Sequence, residues 1–459
     1  MAKIVDYTIV MPQNPTENER RAATFLRENI KLVCGKKVPL VTDEAEPTDL
    51  EIVVGQTNRE ALTGFHIRRW REEKVNGSWE HIVTKVGSRM FLSSRSYPPE
   101  EPAFNSSYRT LNDGKIGTVM AANHFVEKIL GYDFMYGAYW DFPENPDLEM
   151  PEEYDYQFTR ENLRAEDPVL FDGAAMYVLP IAERLNWNLG CMIFKTKKGK
   201  IIVIDGGHNE ETPRVLRILQ RISGKEVPHV DAWLFSHMHA DHYGVYDALV
   251  SEEQYKGKIT VDTFYCNLLE EPFYTQIARD KNPIYGVVRQ ELLNSEKAIG
   301  AKVQTVCKGD VIRVDEMAFE VLHAPLAEDA AKMNMNDSSV VYKLTYDGSQ
   351  TIMLLGDAEW VCDNHLMERP EKLKADIVQV GHHGCGNVSR ACYEAIGAKV
   401  YIWQICKKFW YSDSSEATNS HNTGVFRTRC YMMGLNPKKE NIYPVYDNIL
   451  STPLPMEIF

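Results

Sequence analysis

The segment Ser236-His237-Met238-His239-Ala240-Asp241-His242 sets three imidazoles and one carboxylate within a few residues, directly after the apolar run Val230 to Phe235. A lone histidine reads as a hydrogen-bonded core or surface residue. Four strong ligands packed together without a metal would instead leave several polar groups in need of partners. In a loop after an extended strand, His237 and His239 alternate in direction but converge when the backbone curls. Asp241 and His242 enter the next helix and face a neighbouring ion. Mixed nitrogen and oxygen ligation suits zinc, and manganese or iron is also acceptable to it.

These residues need elements that place them at strand ends, and the chain supplies such elements. From Ala174 onward strands alternate with helices. Strands are predicted at Lys200 to Ile204, Val230 to Phe235, Phe319 to Leu322, Ser339 to Leu344, Thr351 to Leu355, Ile377 to Val380 and Val400 to Trp403. Helices are predicted at Thr212 to Ile222, Val287 to Ile299, Ala358 to Met367 and Arg390 to Ile396. Each chemically loaded residue falls just past a strand end, where open α/β architectures keep their ligands. The aromatic stretch with Trp403, Phe409, Trp410 and Tyr411 reads equally as a pocket wall or as core.

The first third has its own pattern: a strand at residues 5–10, a helix from Glu17 to Val33 closed by Gly35, strands at Leu50 to Val54, His81 to Val86 and Met90 to Ser93, and a helix from Ile116 to Leu130. The stretch DFPENPDLEMPEE at 141–153 concentrates prolines and acids, which favour extended, solvated backbone. The domains expected are therefore 1–160 and 161–459, consistent with a chain of 459 residues that exceeds one ordinary core. A net charge of −14 counts against a protein that coats nucleic acid, since phosphate neutralisation needs clustered Lys and Arg. Nine cysteines without a CxxC pair read as reduced thiols. The start MAKIVDYTIVMPQNP has no apolar h-region and no apolar run reaches a membrane span, so the expected location is cytoplasmic without a membrane partner, although a chain trimmed of its leader would look the same.

HxHxDH after a strand resembles the signature of the metallo-β-lactamase superfamily, and further motifs in order carry the resemblance across residues 170 to 405. Asp205 in Ile204-Asp205-Gly206-Gly207 matches the carboxylate that supports the metal loop. Asp357 in Leu355-Gly356-Asp357 matches the bridging carboxylate, and His382-His383-Gly384 the last metal histidine. The resemblance implies a four-layer αβ/βα sandwich with two zinc ions. It implies His237 and His239 on the first, Asp241 and His242 on the second, Asp357 between them, and His383 completing the second. His382 would orient a ligand or touch substrate, and Asp241, Asp357 and His382 are the implied catalytic groups. The glycine-flanked GHT turn that supplies a third histidine to the first metal in many relatives is missing between His242 and Asp357. Asn336-Asp337-Ser338-Ser339-Val340 stands there instead, a pattern similar to the competence-protein (DNA-uptake) branch. That makes Asn336 and Ser339 candidate site residues, and leaves His323 as either a ligand or a strand cap.

Two such cations lower the pKa of a bridging water towards neutrality and polarise the substrate oxygen, so a hydrolase using hydroxide is implied. Cys385, beside the site, reads as a bystander rather than a nucleophile. Tyr243, His382 and His421 are the candidate proton donors. Residues 5 to about 152 resemble the small α/β domain preceding the barrel in hexosaminidases and α-glucuronidases, a resemblance carried by Ala22-Ala23-Thr24-Phe25-Leu26, Ile52-Val53-Val54-Gly55 and Gly131-Tyr132. The expected substrate is a phosphodiester or related ester of a small or glycan-linked molecule. The rivals are C–N, lactone or thioester hydrolysis at the same site, and a metal-retaining binding protein without turnover.

Overall fold

The computed structural model of the chain describes residues 2–67, 70–71, 79–97, 116–133, 144–185, 187–270, 284–386, 388–411 and 420–459. It forms two compact units, Met1–Leu163 with Arg184–Asn186, and Arg164–Glu183 with Trp187–Phe459. Residues 141–143 of the acidic, proline-rich stretch lie outside the described residues.

The first unit is built on a six-stranded sheet in the order Leu40–Thr42, Thr8–Met11, Glu51–Val54, Arg89–Ser94, His81–Val86, Asp155–Phe158. The first four run parallel to one another, and His81–Val86 is antiparallel to both of its neighbours. Helices Glu17–Cys34 and Ile116–Lys128 pack together. The former starts with a reciprocal capping box between Thr16 and Glu19 and stops at Gly35 in the left-handed region, which satisfies end groups that the helix itself cannot pair. Glu51 and Arg59, both 1% exposed, pair at 3.1 Å, and Arg89 joins Glu51 at 2.7 Å. These buried charges are committed to structure.

The second unit has two seven-stranded sheets. One runs Lys302–Thr305, Thr260–Cys266, His229–Leu234, Ile201–Asp205, Cys191–Lys195, Ala175–Val178, Leu450–Pro453. The other runs Val311–Val314, Met317–His323, Val341–Tyr346, Gln350–Leu354, Ile377–Gln379, Val400–Gln404, Ile442–Val445. Inner-face side chains of both sheets, among them Met176, Phe194, Ile202, Leu234, Phe319, Leu344, Ile352 and Ile402, form one continuous apolar core. Helices Thr212–Ser223, Ala240–Ser251 and Ser295–Ile299 belong to the first sheet, and Trp360–Met367 and Arg390–Ile396 to the second. Helices thus flank a two-sheet sandwich, the architecture that buries one face of every element.

The predicted helix Val287 to Ile299 is two helices, Ile284–Leu293 and Ser295–Ile299, broken at Asn294 with φ −86° and ψ 11°. Asparagine competes with helical backbone through its own amide, so an interruption there has a local cause. The aromatic stretch turns out to be interior: Trp403 is 0% exposed, and Phe409, Trp410 and Tyr411 are buried as well. Among the described residues no helix is long and apolar enough to cross a membrane.

Candidate metal centre

Loops at the strand ends converge on one cluster. The strand His229–Leu234 leads into Ser236 to His239, and His239 is the extended residue that opens helix Ala240–Ser251. Asp205 closes its own strand, Asp357 follows the strand Gln350–Leu354, and the turn Gly381–Gly384 follows Ile377–Gln379. Asp205, His382 and His383 all have positive φ, at 58°, 47° and 52°. That conformation costs a non-glycine residue roughly 1–2 kcal/mol, and the surrounding hydrogen bonds must hold it.

Those hydrogen bonds also fix which ring nitrogens carry protons. Asp205 Oδ2 accepts from His242 Nδ1 at 2.8 Å, and both Asp205 oxygens accept from Ser236, through its N–H and its hydroxyl, at 2.8 Å. With its proton spent on Asp205, Ser236 Oγ accepts from His237 Nδ1 at 3.0 Å. The carbonyl of Gln404 accepts from His383 Nδ1 at 2.7 Å. As neutral rings, His237, His242 and His383 therefore turn lone-pair Nε2 atoms inward. His242 Nε2 and His383 Nε2 stand 3.3 Å apart, and Asp357 Oδ1 lies 3.2 and 3.5 Å from them. Asp241 Oδ2 is 3.6 Å from His383 Nε2. On the other side His237 Nε2 is 3.1 Å from His239 Nδ1 and 3.8 Å from Asp357 Oδ2.

Acceptors facing acceptors at these separations repel unless a positive charge lies among them. Asp357 Oδ1 is fully buried and receives no hydrogen bond among the described residues. Burial opposes charge on the His242 ring, yet Asp357 and Asp205 outweigh burial and raise its pKa well above the ordinary value, so that without a cation the ring draws in a second proton as the positive charge the cluster lacks. Burial likewise works against the Asp357 carboxylate, but His242, His383 and His382 hold it well below the usual range. Burial pushes His237 well down, as a neutral nitrogen ligand requires. The donor set fits a metal. Two triads, His237 with His242 and Asp357, and Asp241 with His242 and His383, each bring their ligand atoms within 4.8 Å of one another. A third such set, His229, Asp231 and Asp262, sits on partly exposed strand positions. There Thr260 Oγ1 already engages His229, and Asp231 accepts the Ile201 N–H.

Residues 191–331 match the family model described as the metallo-β-lactamase superfamily. This part of the chain is a metallo-β-lactamase domain. Over 163 residues the chain is 28% identical to ComE operon protein 3 of Bacillus subtilis, a span that is 36% of this chain and 18% of that protein. The chain therefore covers under a fifth of that relative's length. Among solved structures, the metallo-β-lactamase fold protein YhfI of Bacillus subtilis is 13% identical with a TM-score of 0.36, covering 61% of this chain and 98% of its own. The diiron β-hydroxylase CmlA of Streptomyces venezuelae is 9% identical with a TM-score of 0.38, covering 61% and 54%.

In the second unit, several residues marked by sequence lie apart from the two triads. His323 ends its strand with Nδ1 donating to the Ser339 carbonyl at 2.9 Å and Nε2 3.2 Å from His365 Nδ1. It joins no ligand set among the described residues. Ser339 Oγ accepts the Asp357 N–H at 3.1 Å, which ties the Asn336 to Val340 segment to the metal loop. Asn336 donates to Glu359 at 2.9 Å. Tyr243 is half-buried one residue past His242. His421 falls in helix Ser420–Leu435, and its side chain lies outside the described residues. Cys385 is buried, its thiol pushed well up by burial, so it is no thiolate.

Sequence reasoning did not mark Glu359, whose Oε1 lies 3.0 Å from His382 Nδ1. Burial pushes its carboxyl up, but His382, Asn336 and Asn334 outweigh burial and hold it at about 2. The only available signal was its place two residues after Asp357. Gln404 acts on His383 through its backbone carbonyl, which no side-chain pattern announces. Gly190 was also unmarked; a Cβ there would stand 2.5 Å from His242 Nδ1.

Proposed function

We propose that the domain is a binuclear zinc-dependent hydrolase acting on a phosphodiester or related ester of a small or glycan-linked substrate. The observation that carries the metal reading is the pair of lone-pair nitrogens, His242 Nε2 and His383 Nε2, facing each other at 3.3 Å beside Asp357. His237 and His239 would hold one ion, and Asp241, His242 and His383 the other. Asp357, with one oxygen towards each group, would bridge them. Cations bound there supply Lewis acidity towards a phosphoryl oxygen and lower the pKa of water. His383 is favoured over His382 as ligand because its Nε2 faces both carboxylates, Asp241 and Asp357. His382, 3.7 Å from Asp357 Oδ2 and 13% exposed, is placed to meet the leaving oxygen of a bound ester. Asp205 orients His242 and Ser236 rather than binding metal.

Phosphoester chemistry is favoured by the Asn336 to Val340 segment standing where a GHT turn would be, the pattern similar to the competence-protein branch. The glycan-linked part rests on the resemblance of residues 5–152. The test is turnover by zinc-loaded protein of bis-p-nitrophenyl phosphate beside lactam, lactone and thioester panels. Phosphodiester turnover that chelator abolishes is expected. Hydrolysis confined to the other panels overturns the substrate reading, and stoichiometric zinc with no turnover on any panel overturns the enzyme.

A further inference from the structure

Glu359 is 8% exposed and lies in extended backbone just before helix Trp360–Met367. Each of its oxygens has its own amide donor: Asn336 Nδ2 reaches Oε1 at 2.9 Å and Asn334 Nδ2 reaches Oε2 at 2.8 Å. The carboxylate plane is thus fixed by groups other than the imidazole it serves. His382 Nδ1 stands 3.0 Å from Oε1. An imidazole can offer a carboxylate only an N–H at that distance, so Nδ1 is the proton-bearing nitrogen on this side. Nε2 is left on the far side of the ring, 3.7 Å from Asp357 Oδ2. His382 occupies a left-handed backbone conformation, with φ 47° and ψ 47°. A residue held in that sparsely populated region depends on surrounding bonds to define it. Asn336 Nδ2 also packs 3.4 Å from both ring nitrogens, a steric contact rather than a hydrogen bond at the proton-bearing Nδ1. The side chains of Asn334, Asn336 and Glu359 therefore form a bracket around one imidazole.

We infer that Glu359 is the positioning residue for His382, holding Nδ1–H on its carboxylate so that Nε2 passes a proton to the leaving oxygen of a substrate lying against Asp357 as its P–O bond breaks, the ring being left neutral with its remaining proton on Nδ1. This rests on the hydrolase reading and narrows its substrate class. A bracketed imidazole matters most where the leaving group is poor, so the fitting substrates are esters of aliphatic hydroxyls, such as those of sugars, rather than of phenols. Glu359 touches neither substrate nor metal in this scheme and acts only through the ring it holds.

The experiment compares wild type, Glu359→Gln and Glu359→Asp, all zinc-loaded, on an alkyl and a p-nitrophenyl phosphodiester, together with nitrogen-15 imidazole spectra of His382. Glu359→Gln is expected to lower kcat on the alkyl ester roughly 10- to 100-fold more than on the aryl ester, with KM little changed and zinc content retained. Its His382 resonances should lose the wild-type Nδ1–H pattern, and Glu359→Asp should restore part of both. Equal losses on the two esters, or loss of zinc, would make Glu359 merely structural and overturn the inference. Were wild type to hydrolyse neither ester, the enzyme reading would fail separately, and the spectra would still decide the positioning. Unchanged His382 resonances in Glu359→Gln overturn it. Should that variant not fold, Asn334→Ala, which removes the amide donor to Oε2, carries the same spectral comparison.

Discussion

His242 Nε2 and His383 Nε2 face each other at 3.3 Å while their opposite nitrogens are tied to Asp205 and to the Gln404 carbonyl. Neither ring, while neutral, can turn a proton inward without giving up a bond at 2.8 or 2.7 Å. A cation resolves the conflict at no such cost. His383→Ala should therefore lose one of two zinc equivalents, while His382→Ala keeps both, as read by elemental analysis of dialysed protein. The reverse pattern would exchange the roles of the two histidines. Chelation should also lower Tm in the wild type, since these ligands converge only in the folded chain.

Asp205 carries a second consequence. Its two oxygens accept from Ser236 twice and from His242 once. A carboxamide in place of that carboxylate would put an NH2 donor where one of those oxygens stands, and the His242 ring would be driven to the tautomer with its proton on Nε2. Asp205→Asn should thus weaken zinc binding by roughly 10- to 100-fold with the fold intact, although no ligand has been removed. Competition against a chromophoric chelator measures this, and an unchanged affinity would show that tautomer control is not what Asp205 provides.

What the sequence disclosed and what it withheld divide along a physical line. His237, His239, Asp241 and His242 are legible because one strand-to-helix turn brings them together, so spacing alone carries the geometry. Asp357 and the His382-His383 pair are legible because apolar strands announce the ends where they sit. Glu359 was hidden because one more acid near a helix start usually serves the helix dipole. The positive φ angles at Asp205, His382 and His383 come from long-range hydrogen bonds, which no local pattern encodes. Trp403 to Tyr411 stayed ambiguous because a pocket wall and a core draw on the same aromatic residues. Only the packing of Trp403, with Nε1 donating to the His383 carbonyl at 2.6 Å, separates them.

That contact makes Gly384 a sensitive position. Its φ is 79°, and an added Cβ would collide with Trp403 Cζ2. Gly384→Ala combines backbone strain with overpacking against a fully buried ring, a cost of roughly 2–4 kcal/mol. The ring cannot retreat without pulling on the His383 carbonyl, so zinc occupancy should fall together with stability. Gly224→Ala is the control, with φ 66° and no atom within 4 Å of its Cβ. It should cost only about 1 kcal/mol of strain and leave zinc untouched. Urea denaturation with parallel zinc analysis distinguishes the two. Equal costs would mean that the Trp403 contact relaxes freely.

His323 offers a test by pH. Burial pushes its imidazole down to about 4, while the unfolded chain returns it to the ordinary value near 6.5. Between these values the unfolded state holds the proton that the folded state refuses, so stability rises with pH across the window and is lost as pH falls from 6.5 towards 4. At about 1.4 kcal/mol for each pH unit, the loss assigned to this one residue is about 3 kcal/mol. His323→Gln keeps a polar side chain but cannot titrate. It should be less stable than the wild type at pH 7, where the bond to the Ser339 carbonyl is weakened, and the difference should shrink by about that amount at pH 4. Urea titrations of both proteins at pH 7, 5.5 and 4 give the comparison. Carboxylates elsewhere titrate alike in both and cancel in the difference. A gap that stays constant with pH would mean that His323 takes up its proton in the folded state, and that the pocket between Ser339 and His365 is wetter than its burial implies.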